Sequence, residues 1–397
     1  SPETALFPYV TVDKIYENTA HTGSKTLLRV HRGSQQYNNW EPFNTEQDGR
    51  YTLTRSLYKN TLGNKLLFEE VNHDLQMVFR YCWVNSDTYG FARQCELENL
   101  GETQCDIELL DGIQNILPAG TPLFTQTNSS YLVDAYKWSE LEESTGLATF
   151  SLFSGISDRA EPYESLRANA VFCLGFDEYR VLLCSDQVEG FRHGNSVVQE
   201  THKRGIRGAY MVNTAFVLQT LASKRWQQVA NIEQSQSAVV YLNHQLQQPA
   251  VVAADVAQSV AAGSDALSRI MAAVDGFQAT SDEAVSVHHY ANVLFNTLRG
   301  GIFDEHYVVL SKNFSRHIEF FSKALFQHHQ PFLQALPERI DCMKLLEAVR
   351  EQNDQQLVRL TYEYLPITFG RRHGDPSRPW NQFSIKLKDE QGGRLLT

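Results

Sequence analysis

The run Leu75-Gln-Met-Val-Phe-Arg-Tyr-Cys-Trp-Val84 carries an apolar side chain at every odd position, while Gln76 and Arg80 take the opposite face. A period of two held over this length predicts a β-strand, because successive side chains of an extended backbone point to opposite sides. Asn85-Ser-Asp-Thr and Gly90 turn the chain, and residues 91–98 run back. A turn at Asn99-Leu-Gly-Glu then leads to a third strand, in which Cys105, Ile107 and Leu109 alternate with Asp106 and Glu108. The expected arrangement is an antiparallel meander of strands about ten residues long, longer than the usual five or six. Such strands suit a large sandwich rather than a small module.

Upstream, Tyr51, Leu53, Arg55 and Leu57 share one face of residues 50–58, after the turn signal Asp48-Gly49. Leu6-Phe-Pro-Tyr-Val-Thr-Val12 is a strand-like entry. Downstream, the same texture recurs over 147–153, 168–176, 181–184, 209–218 and 225–232, each bounded by glycine, aspartate or asparagine clusters. Residues 1–245 are therefore expected to be all β, with both faces of some strands apolar, as when two sheets stack.

The texture changes at Gln245-Leu-Gln-Gln-Pro249. Beyond it alanine becomes frequent and the apolar period becomes 3.6, which predicts a helical linker domain over 246–366. Thr280-Ser-Asp-Glu283 reads as a capping box with Thr280 at the N-cap. The helix it opens has a stripe of Ala284, Val287, His288, Ala291, Leu294, Phe295 and Leu298, closed by Gly300-Gly301. A second stripe, Phe314, Ile318, Phe321 and Leu325, ends before Pro331, and residues 341–350 and 355–365 supply two more helices. Residues 367–397 read as a connecting loop and the start of a further domain, with a strand at Phe383-Ser-Ile-Lys-Leu-Lys388 and a return at Arg394-Leu-Leu-Thr397. The missing initiator methionine and the short return strand lead to the expectation that residues precede and follow this stretch.

At 397 residues the chain exceeds the length at which one core stops growing, so two domains are the default. Its 42% hydrophobic content is that of an ordinary globular protein, and no apolar run approaches the roughly 18 residues of a membrane span. Residues 101–200 hold 5 basic and 16 acidic side chains, an excess equal to the whole net charge of −11. A nucleic-acid surface needs the opposite sign. The one basic cluster, Lys203, Arg204 and Arg207, lacks interleaved aromatics and reads as a solvated turn. None of the six cysteines forms a Cys-x-x-Cys pair, so buried reduced thiols are expected, in a cytoplasmic compartment. Asn128-Ser-Ser and Asn313-Phe-Ser match the glycosylation pattern, but no export signal accompanies them.

One loop concentrates chemistry. Phe369-Gly-Arg-Arg-His-Gly-Asp-Pro-Ser-Arg-Pro-Trp-Asn-Gln-Phe383 packs Arg371, Arg372, His373, Asp375, Arg378 and Trp380 between glycines and prolines. That composition forbids regular helix and gathers donors and planar groups suited to phosphate or sugar. The bland reading is a polar interdomain connection whose arginines pair with carboxylates. Asp158, Glu161 and Glu164 share another loop, with a solvated acidic turn as the ordinary alternative to a carboxylate pair. His288-His289 and His328-His329 are adjacent pairs, which on a helix point about 100° apart and cannot easily share one metal; no metal site and no cofactor is expected. Tyr81, Trp83 and Tyr89 suggest a sugar-stacking platform, against the commoner reading as core. Dinucleotide, Walker and nucleophile-elbow motifs are absent.

Several fragments taken in order resemble a known family: Tyr89-Gly-Phe-Ala-Arg93, Glu98-Asn99, Leu110-Asp-Gly-Ile-Gln-Asn-Ile-Leu-Pro118, Asp158-Arg-Ala-Glu-Pro162 and Arg371-Arg-His-Gly-Asp-Pro-Ser-Arg-Pro-Trp-Asn381. Together they look like the large bacterial proteins related to cellobiose and chitobiose phosphorylases. The resemblance implies a β-supersandwich of the galactose-mutarotase-like kind, a helical connection, and a catalytic barrel of six helical hairpins beginning after Thr397. It implies that the general-acid aspartate and most sugar and phosphate contacts belong to the barrel. The sandwich would stabilise the assembly, support a homodimer and lend loops to the active site. The helical connection looks longer here than in the better-known members.

On these grounds the chain is expected to be the noncatalytic N-terminal portion of a carbohydrate-active enzyme, an inverting glycoside phosphorylase with inorganic phosphate as co-substrate and an oligosaccharide as partner. The alternatives are a stand-alone carbohydrate-binding or interaction protein, and a mutarotase-like epimerase using Glu161 and His373. Neither nucleic acid nor membrane is an expected partner.

Overall fold

The computed structural model describes residues 5–8, 19–33, 37–128, 130–154, 166–273, 276–277, 281–298, 308–368, 386–388 and 394–396. The chain divides into two compact units, Ser1–Ala266 and Leu267–Thr397.

The first unit starts with β1 (Gly23–His31), β2 (Asn38–Trp40), β3 (Leu53–Lys59), β4 (Leu66–Asn72), β5 (Met77–Ser86), β6 (Gly90–Asn99) and β7 (Cys105–Ile116). Two short helices follow, α1 (Leu123–Asn128) and α2 (Ser130–Tyr136), then β8 (Lys137–Glu142), β9 (Leu147–Leu152), β10 (Arg167–Leu174) and β11 (Arg180–Leu182). Helix α3 (Val188–Arg192), β12 (His202–Arg204), β13 (Gly208–Leu218), β14 (Ser223–Ser235) and α4 (Gln236–Gln245) follow, and α5 (Pro249–Ala273) runs past Ala266, where the first unit ends. The strands form a five-stranded sheet ordered β11-β13-β7-β1-β2 and a nine-stranded sheet ordered β12-β8-β9-β10-β14-β6-β5-β4-β3, with antiparallel pairing throughout.

Side-chain alternation explains why the sheets stack. On β5, Met77 and Phe79 enter a core shared with Val30, Ile107 and Tyr210 of the other sheet, with Tyr81 and Trp83 packed at its margin. Val84 points the other way, into a second core against Leu242, Leu246, Val252, Val256 and Val260 of α4, its C-cap and α5. Strand β10 alternates alike, Val171 and Cys173 inward, Ala170, Phe172 and Leu174 toward the helices. Each side chain buried this fully is worth roughly 1.5–3 kcal/mol over exposure. Opposed residues on β4, β5, β6 and β14 also form a charged row, Glu69, Arg80, Glu96 and Arg225. Its contacts are 2.6 Å from Arg80 to Glu69, 3.4 Å from Arg80 to Glu96 and 2.7 Å from Arg225 to Glu96.

The meander ends one strand earlier than the sequence suggests. β7 does not pair with β6; it crosses to the five-stranded sheet between β1 and β13. Ten of its twelve positions are buried because both faces are covered, one by the shared core and one by Val188 and Phe191 of α3. Gly112 is required there, since an added Cβ would lie 2.0 Å from the Tyr210 carbonyl oxygen. Nor is the first stretch purely β: α1 buries nothing and α2 only Val133, so neither shows an apolar period.

In the second unit, α6 (Glu283–Leu298) starts where Asp282 Oδ1 accepts the Ala284 amide at 2.9 Å, later than the capping box placed it. β15 (Val308–Leu310) pairs with β16 (Arg339–Asp341). The stripe around Phe314 is two helices, α7 (Ser311–Phe321) and α8 (Lys323–His328), parted at Ser322, whose hydroxyl caps α8. Pro331 lies inside the next helix, α9 (Gln330–Ala335). Helices α10 (Cys342–Glu351) and α11 (Gln355–Thr368) close a core of Val309, Phe314, Ile318, Leu345, Val349 and Leu357. Further on, β17 (Lys386–Lys388) and β18 (Arg394–Leu396) form an antiparallel pair.

Candidate functional site

Arg371, Arg372, His373, Asp375, Arg378 and Trp380 lie outside the described residues, as do Asp158, Glu161 and Glu164. Tyr81, Trp83 and Tyr89 do not form one platform: the first two face the shared core and Tyr89 the helix-covered side. The basic cluster is paired locally, Lys203 with Glu200 at 3.1 Å, Arg207 with Asp134 at 3.2 Å, and Arg204 over the Trp138 ring at 3.5 Å. All six cysteines are free thiols, and Cys95, Cys105, Cys173 and Cys184 are buried. Burial raises the Cys95 and Cys173 thiols, so neither is a ready nucleophile.

Among the described residues, the best-organised polar concavity is a cavity of about 430 Å³ at the mouth of the sandwich. Its lining includes Lys25 of β1, Glu41 after β2, Tyr81 of β5, Gln114 of β7 and Arg192 of α3. Each is held by its element. The loop carrying Glu41 hangs on Glu70, which is fully buried and accepts from Trp40 Nε1 at 2.7 Å, the Phe43 amide at 2.8 Å and Arg55 Nε at 2.6 Å. Helix α3 is fastened to β1 by Arg29, which stacks 3.9 Å over the Phe191 ring and donates to the Asn195 carbonyl at 2.8 Å.

At the centre, Glu41 is only 4% exposed and accepts from Arg192 Nε and from Arg192 Nη2 at 3.0 Å, with Lys25 Nζ at 3.3 Å and Asn44 Nδ2 at 3.0 Å. Burial works to raise its carboxyl, but the Arg192 hydrogen bond and the charges of Lys25 and Arg192 outweigh it and hold the group below its ordinary value. Arg192 is held charged by Glu41 and Glu189. An ionised carboxylate so fully occupied is a poor proton donor at neutral pH. What the cleft offers is a fixed set of donors and acceptors beside the Tyr81 ring, with Gln114 oriented by its 2.7 Å bond to Ser185. That suits a neutral polyhydroxylated ligand. Glu41 and Arg192 lie 151 positions apart, and no local pattern announces the pair.

A second, more open cavity of about 600 Å³ lies between α4, α5 and the Asp87–Tyr89 turn, with Tyr241 largely exposed at its edge.

The sequence of residues 303–366 matches the family model for the glycoside hydrolase family 149 insertion domain 1. No curated protein matches the chain. Solved structures to which the chain is similar include a bacterial glucoamylase complexed with acarbose, at 9% identity and a TM-score of 0.39, covering 87% of this chain and 53% of that one. Others are a family GH92 α-mannosidase from Bacteroides thetaiotaomicron (10% identity, TM-score 0.33, covering 72% and 33%) and a human-microbiome protein assigned as a kojibiose phosphorylase (10%, 0.28, covering 76% and 30%). The chain thus spans about half or less of the length of each. Likenesses of this size carry no argument of their own, and the family-model match is confined to residues 303–366.

Proposed function

We propose that residues 1–397 form a noncatalytic, N-terminal part of an enzyme that cleaves glycosidic bonds by inverting phosphorolysis, the bond-breaking groups standing on a helical barrel outside this sequence. The observation that carries the reading is the match of residues 303–366 to an insertion domain of a glycoside hydrolase family. The order of stacked sheets followed by helices accords with it, and a galactose-mutarotase-like supersandwich is part of the same proposal. In such a reaction a phosphate oxygen attacks the anomeric carbon as the glycosidic C–O bond breaks on the opposite face, and an acid protonates the leaving oxygen.

Within this scheme the first unit binds saccharide rather than cleaving it. Glu41, Glu70 and Asp111 are each tied to an arginine. The cleft around Glu41 holds the sugar, and Arg371, Arg372, His373, Asp375, Arg378 and Trp380 supply phosphate and sugar contacts toward the barrel. A cytoplasmic setting and a homodimer belong to the same reading.

The test is product analysis of residues 1–397 incubated with neutral oligosaccharides and inorganic phosphate. The expected result is neither sugar phosphate nor newly freed reducing ends. Formation of either by this chain alone rejects the noncatalytic reading.

A further inference from the structure

The second unit holds a cluster that the proposed function does not use. His328 ends α8, and His329 stands between α8 and α9 with φ −100° and ψ 15°, outside the helical geometry. Pro331, in the first turn of α9, has no amide hydrogen with which to continue the earlier helix. The two imidazoles therefore do not follow the 100° step of a continuous helix. Their rings lie 4.7 Å apart and almost perpendicular. Asp354, ahead of α11, completes the group: its Oδ2 is 2.9 Å from His329 Nε2, and the ligand atoms of all three residues lie within 4.8 Å of one another.

We propose that His328, His329 and Asp354 bind a divalent cation of the zinc type, which fastens the α8–α9 junction to the start of α11. Two imidazoles and one carboxylate form a ligand set that zinc accepts, with water in the remaining position. The 2.9 Å separation of His329 Nε2 and Asp354 Oδ2 is close to the spacing of two neighbouring ligands on a metal with bonds of about 2.0–2.1 Å. Asp354 is already oriented, because its Oδ1 accepts the Gln356 and Leu357 amides at 2.8 and 3.2 Å. The His329 side chain is 8% exposed, so it is ordered before the ion arrives. His328 is exposed and supplies the ligand on the solvent side. On binding, the ion takes the place of the proton between Nε2 and Oδ2, and the neutral imidazole keeps its one N–H by carrying it on Nδ1, exchanged through water.

The test uses residues 1–397 stripped of metal with a chelator. Zinc is titrated by calorimetry and cobalt by visible absorption, with thermal unfolding measured in parallel. The expected result is one ion per chain and a zinc-dependent rise in the unfolding temperature. His328→Ala should weaken binding about tenfold or more. Asp354→Asn should do the same while keeping the helix cap, because asparagine caps as well as aspartate. His288→Ala/His289→Ala, on the continuous helix α6, should leave binding unchanged. Absence of stoichiometric binding by the parent chain, or binding undiminished in both His328→Ala and Asp354→Asn, overturns the proposal.

Discussion

Arg93 Nη1 donates to both carboxylate oxygens of Asp111, at 2.9 and 2.8 Å, with both side chains fully buried. The pair joins the two sheets, since Arg93 is on β6 and Asp111 on β7. Thr26 Oγ1 and Trp226 Nε1 also donate to Asp111, at 2.6 and 2.7 Å, and the Arg93 guanidinium lies 4.7 Å from the Tyr81 ring centre. A charge network in a dry core is stabilising only while complete, because removing one member strands the other without water.

Asp111→Ala should therefore cost about 3–5 kcal/mol, a loss attributable to the uncompensated arginine. Arg93→Met/Asp111→Leu should cost less than the sum of Arg93→Met and Asp111→Leu, giving a clear coupling in a double-mutant cycle. Urea unfolding followed by tryptophan fluorescence measures both; additive losses would contradict the strut.

Glu41 sets a pH dependence whose sign follows from its neighbours. Its carboxyl titrates below the ordinary glutamate value of 4.5 because Arg192 and Lys25 favour the charged form despite burial. Folding thus favours the deprotonated group. Its contribution is complete above the unfolded pKa and is lost as the pH falls through the lower folded value. Wild type should lose stability more steeply than Glu41→Gln as the pH drops below about 4.5. Parallel curves for the two proteins in a series of acid-side denaturation experiments would contradict this.

Val256 tests the second core. It is fully buried on α5 against the helix-covered face of the nine-stranded sheet. Val256→Ala should cost about 1–3 kcal/mol in denaturant, between the typical costs of losing one methyl and of truncating a leucine. The exposed Val251 on the same helix should tolerate alanine within about 0.5 kcal/mol.

Much of the sandwich was legible because its strands are long and two-faced. Met77 and Phe79 against Val84 encode a strand with two burial partners, and the strands expected over 147–153, 209–218 and 225–232 correspond to β9, β13 and β14. What alternation does not encode is the partner. β7 looks locally like the next strand of a meander, yet residues 100–104 carry it to the other sheet. β1 leaves no periodic trace, because Leu27, Leu28 and Val30 are buried on both faces. A 100° step between His328 and His329 holds only within one helical phase, and the helix stops at His328. The pairing of Glu41 with Arg192 is long-range, and such contacts leave no short-range trace.

The most direct measurement is calorimetric titration of residues 1–397 with a panel of neutral oligosaccharides, repeated on Glu41→Gln and Tyr241→Ala. Millimolar or tighter binding is expected for wild type and Tyr241→Ala, with a loss of about tenfold or more in Glu41→Gln, equivalent to ~1.4 kcal/mol. No heat from wild type with any saccharide, or binding that Glu41→Gln leaves intact, would contradict this.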